Sequence, residues 1–208
     1  MSAARPLTGT GTWLYARSRA VPLTLAALAG TAVFAVWAAG RLDAYLDPYR
    51  RVPIVALAPL LAAAVIGASL FTASEELDRT AVRPWWRRRL AQLLGPTALA
   101  AALLPLAVLG DDLLFGPPAM IRNTLGCVGV TAAAAVLVGA RLSWLPGFGY
   151  VSAVYLASHG VRGRAVTVWA WPVQPGYQQG AWLAAGTAFV LGTALYAVCG
   201  ARPEGPRR

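Results

Sequence analysis

The chain has no lysine: all 18 of its basic residues are arginine. It has one histidine, two cysteines and eight acids, and only 12% of its residues are charged. Each shortage excludes a chemistry. Without lysine there is no Walker-type phosphate loop, no Schiff-base enzyme and no Ser/Lys hydrolase. One histidine, His159, is too few for a histidine-based metal site. Two cysteines, Cys127 and Cys199, make neither a disulfide framework nor a zinc site, and both are expected as small apolar core residues. No Gly-x-Ser-x-Gly elbow or Ser/His/Asp set occurs. We therefore expect no catalytic residue, no metal and no cofactor.

The charged fraction is roughly half the ~25% of an ordinary soluble domain. The hydrophobic fraction is 58% and the mean hydropathy +0.57, which also excludes a disordered chain. What is present instead is six charge-free runs of 18 residues or more: 20–40, 52–74, 90–110, 123–140, 142–161 and 165–201. A bilayer core of roughly 30 Å takes about 20 apolar residues of helix. The pattern predicts an all-α integral membrane protein, with one six-helix transmembrane domain over residues 1–208. Its spans are expected at about 20–40, 52–73, 90–110, 123–140, 142–160 and 181–201. The first run is longer than the about 7–15 residues of a signal-peptide core, so it is read as a span. Asp111-Asp112 end the third span, because an Asp at a helix centre costs about 2.5–3.5 kcal/mol. Adjacent on a helix, they do not face one another and are not read as a carboxylate pair. Gly116-Pro117-Pro118 then break the chain. Pro172, Pro175, Gly176 and Gly180 divide the last run into a short aromatic piece, 165–173, and the final span.

Arginine counts set the orientation. With both termini cytoplasmic, the inside segments carry 12 arginines and the outside segments 6. The basic balance is thus accounted for at headgroup level, without nucleic acid. Arg122 and His159 are expected near the outer ends of their spans, in headgroup contact.

Three segments carry more than topology. Between spans two and three, Thr72 and Glu75 form a capping-box pattern, and Glu75 and Arg79 stand at the favourable i,i+4 spacing. Pro84 interrupts, and Trp85-Trp86-Arg87-Arg88-Arg89 lead into the third span. Two readings are open here: a solvated loop with a basic anchor, or a short acidic helix on the membrane surface that docks a cytoplasmic partner. Glu75, Glu76 and Asp78 favour the second, since acids contribute little to orientation. At the N-terminus, Thr12-Trp13-Leu14-Tyr15-Ala16-Arg17 suits an interfacial helix. Outside, Arg162 to Gly180 holds Trp169, Trp171 and Tyr177, and suits either a plain loop or a re-entrant segment. Glu75-Glu76 is similar to the paired glutamates of prenyl-endopeptidase-type metalloproteases. That pattern needs Arg where this chain has Thr80, and several histidines.

The stretch Ser74-Glu75-Glu76-Leu77-Asp78-Arg79-Thr80-Ala81 with Arg83-Pro84 resembles membrane subunits of ABC-2 type transporters. So do Arg122-Asn123-Thr124-Leu125-Gly126 and Gly139-Ala140-Arg141-Leu142-Ser143-Trp144-Leu145-Pro146. The resemblance implies six spans, an N-terminal elbow helix, a coupling helix between spans two and three, and a re-entrant segment between spans five and six. It implies a bacterial cell membrane permease that pairs with a second permease chain, the same or related. A separate ABC ATP-binding subunit would dock on Glu75, Glu76, Asp78 and Arg79. Membrane lipid is the surrounding partner. The alternative is a membrane enzyme or accessory scaffold acting on lipid or isoprenoid substrates.

Overall fold

A computed structural model describes residues 21–42, 48–71, 85–109, 114–157 and 164–203. The N-terminal interfacial segment, the docking candidates Glu75, Glu76, Asp78 and Arg79, Asp111-Asp112 and His159 lie outside the described residues. The described residues form helices and turns with no strand. Helix α1 is Val21–Arg41. A 3₁₀ turn, Pro48–Arg51, leads into α2, Val52–Ser69. Helix α3, Trp85–Leu103, tightens into a 3₁₀ turn at Leu104–Val108, where Pro105 cannot donate. Next come α4, Pro117–Val138; α5, Trp144–Ala157; the short α6, Arg164–Trp169, with a 3₁₀ turn at Trp171–Val173; and α7, Gln179–Cys199.

Five of these segments are long and apolar enough to cross a membrane: α1, α2 with its preceding turn, α3 with its following turn, α4 and α7. The chain therefore has the build of a multi-pass α-helical membrane protein. Helix α5 is described over 14 residues, about 21 Å at 1.5 Å per residue, which is short of a bilayer core. The turn at Gly139–Ser143 delays its start.

Helix α4 is the centre of the bundle. It packs most extensively on α7 and next on α2, and its apolar window is 61% buried against 22% for α1. The α4–α7 contact is close enough to exclude side chains. A Cβ added at Gly192 would strike the Gly129 backbone, and one at Gly129 would strike the backbone of Ala188 and Phe189. Small residues let helix backbones approach where no hydrophobic force drives them together in lipid. Leu23, Val33, Leu183, Val190 and Val198 remain exposed on α1 and α7. Helices apolar all round belong in a core or a bilayer, and these are not in a core.

Two expectations are corrected. Helix α4 begins at Pro117, six residues earlier than the charge-free run, because proline at the first helical positions is already set to a helical φ. Pro117-Pro118 thus start a helix, and Arg122 falls inside it. Of the two cysteines only Cys127 is a core residue; Cys199 is exposed at the end of α7.

Candidate functional site

A proline in α2 creates the need that organises this site. Pro59 has no N–H, so the Val55 carbonyl four residues back loses its helical donor. In hydrocarbon such a group must find another. Asn123 on α4 supplies it: its Nδ2 donates to Val55 O at 2.8 Å and to Pro172 O at 2.6 Å. Its Oδ1 accepts from Arg122 Nε at 3.0 Å. The Arg122 fork then reaches the chain between α6 and α7, with Nη1 to Pro175 O at 2.8 Å and Nη2 to Gln174 O at 2.7 Å. Both side chains are 0% exposed. Arg122 is therefore not in headgroup contact, as its place near a span end suggested; it is a clamp.

The clamped segment is folded in among the long helices. Trp171 lies on α4 at Gly126, where an added Cβ would meet its ring at 2.5 Å. The Tyr150 ring of α5 sits 6.0 Å from that of Trp171, and the Tyr150 hydroxyl donates to Trp169 O. The Gly176 N–H donates to Leu114 O at 2.5 Å, and Trp182 Nε1 to Gly176 O at 2.8 Å. Every carbonyl from Trp169 to Gly176 named here is held by a side chain from another part of the fold or from the start of α7. Irregular backbone buried among apolar helices is tolerated only on that condition.

The opposite end of the bundle uses arginine differently. Arg89, half-buried near the start of α3, points Nη1 at Ala197 O (3.4 Å) and Val198 O (3.1 Å), the closing carbonyls of α7. Gly200 there has φ 75°, and a Cβ on it would stand 2.8 Å from the Arg89 guanidinium. Arg202 places its backbone N–H on Ala135 O and its Nη1 on Leu137 O, both at 2.9 Å, at the end of α4. Gln92 Nε2 binds Ser69 O at 2.7 Å, at the end of α2. Cations and donors at helix C-termini meet both the dipole and the unpaired carbonyls.

Among the described residues no three metal-binding side chains cluster, and the Arg122–Asn123 clamp contains no nucleophile. What the arrangement can do is position a short segment inside an apolar bundle. Pro59, Asn123, Trp171 and Arg89 were not singled out as site residues from sequence. The available signal was a polar pair, Arg122-Asn123, at the edge of an otherwise apolar run. Comparison of the chain with protein families, with characterised proteins and with solved structures returns no match.

Proposed function

We propose that the chain is the permease subunit of an ATP-driven exporter of the ABC-2 type, in a bacterial cell membrane. It forms a pathway with a second permease chain and is energised by a separate ATP-binding subunit. The observation that carries this reading is the segment from α6 to Gly176, folded among α2, α4, α5 and α7 and clamped by Arg122 and Asn123. A re-entrant segment just before the last span is what the resemblance implies. On this reading α5 is a short fifth span, making six. The end bearing Arg89, Arg141 and Arg202 is cytoplasmic, in keeping with the arginine count. The segment containing Glu75, Glu76, Asp78 and Arg79 links α2 and α3 at that same end, as a docking element for an ATPase requires. The cargo is a hydrophobic or amphipathic compound, lipid or peptide.

The test is purification of the tagged chain in mild detergent, with an ABC ATPase sought by mass spectrometry among the proteins that come with it. Glu75→Arg combined with Glu76→Arg is expected to leave the protein inserted and abolish recovery of the ATPase. Undiminished recovery would overturn the docking role.

A further inference from the structure

We infer that the groove between α4, α5 and α7 holds an acyl chain of an anionic phospholipid, with the phosphate on Arg202. This goes beyond transport and does not depend on it; it needs only the membrane. The groove has a volume of about 370 Å³ and no charged side chain lines it. Gly129, Ala133 and Leu137 of α4, Pro146 of α5, and Leu191 and Leu195 of α7 define its course. It is an outward-facing site, since Leu137 is 63% exposed and Leu191 64%.

Its length points to a lipid tail. From Gly129 to Val138 is roughly 14 Å of helix at 1.5 Å per residue. That is about half of the roughly 30 Å hydrocarbon core, the depth of a single leaflet. The groove closes where it should for such an occupant. At Gly129 the α7 backbone meets α4, and one turn further Trp171 covers Gly126. A helix from a second copy crosses the whole core and would be seated along only half of it.

Its mouth points to a negative headgroup. Arg202 is anchored at the end of α4 by its backbone N–H on Ala135 O and its Nη1 on Leu137 O, and Leu137 is itself part of the groove wall. The guanidinium is exposed, and a single hydrogen bond from it is seen among the described residues, where arginine has five donors. Trp144, half a turn before Pro146, adds the aromatic side chain typical of the membrane–water boundary. Charge, depth and an interfacial aromatic converge on one ligand class: a phospholipid whose headgroup is anionic.

The experiment is native mass spectrometry of the full chain in mild detergent, incubated with equal amounts of phosphatidylglycerol and phosphatidylcholine. Wild type is expected to retain phosphatidylglycerol over phosphatidylcholine by about fivefold, the preference one arginine near the surface supplies. Arg202→Gln, a conservative change at an exposed side chain, is expected to remove that preference while the thermal transition stays in place. Ala133→Trp, which fills the groove, is expected to lose both lipids. Equal retention of the two lipids by wild type would overturn the proposal. So would an unchanged preference in Arg202→Gln. A lipid-free dimer that Ala133→Trp dissociates would also overturn it, and would give the groove to a second copy.

Discussion

At one end of the bundle Arg122 is 0% exposed and ties α4 to carbonyls 52 and 53 residues further along the chain. At the other end, half-buried Arg89 and exposed Arg202 reach the closing carbonyls of α7 and α4. The donor is the same and so is the kind of acceptor. What differs is the alternative partner. At the Arg89 end water can take the place of a lost bond, so each contact is worth little. At the Arg122 end nothing replaces it, and an unmade bond leaves a buried polar group unpaired. One end therefore fixes how the chain is folded, and the other trims the helix ends.

The sharpest way to break this contrast is Arg122→Met, which keeps the bulk and removes the fork. Interhelical hydrogen bonds in membrane proteins average about 0.6 kcal/mol and reach about 1.7. Two such bonds are lost, together with the local one to Asn123 at about 0.5–1 kcal/mol, so we expect about 2–4 kcal/mol of destabilisation and release of the segment before α7. Thermal unfolding in detergent gives the first. Faster maleimide labelling of a cysteine placed at Gln174 gives the second. Wild-type stability with unchanged labelling would reduce the clamp to an incidental contact.

A subtler change tests the link to Pro59. Asn123→Leu should cost about 1–3 kcal/mol by stranding Val55 O and Pro172 O. Adding Pro59→Ala restores a backbone N–H to Val55 O, so the double variant is expected to recover about 0.5–1 kcal/mol of that loss. Strictly additive losses in this double-mutant cycle would mean that Asn123 does not compensate for the proline.

The same contrast explains what was legible in the sequence. Helix positions α1, α2, α3 and α7 follow from charge-free runs, the last divided at its prolines and glycines, because hydrophobic length is a local property, and each lies within a few residues of its expected span. The short piece at 165–173 follows from its flanking arginines and prolines, and appears as α6 with its 3₁₀ turn. The start of α4 was not legible, because a proline pair reads as a break, and it starts a helix only when the residues after it continue one. The clamp was not legible either. Asn123 meets Val55 across 68 residues and Pro172 across 49, and no local pattern pairs them. Charge itself misled: a rule that ends spans at arginine assigns Arg122 to the boundary, whereas three carbonyl-type acceptors hold it inside. The docking candidates from Glu75 to Arg79 lie outside the described residues, so only the ends of α2 and α3 bear on them.

The smallest expected effect sharpens the comparison most. Arg89→Ala removes a cation from the C-terminal end of α7, a contribution of about 0.3–1 kcal/mol at low ionic strength that is screened by salt. Its destabilisation should shrink on going from low salt to about 1 M, where the screening length falls to about 3 Å. The loss in Arg122→Met should not, since buried groups are screened far less. Measuring both variants at both salt concentrations gives four values whose pattern, rather than any one magnitude, separates the two ends. If Arg89→Ala were as costly as Arg122→Met, and equally indifferent to salt, the α7 terminus would be as sealed from water as the clamp. The distinction between a pinned end and a trimmed end would then be lost.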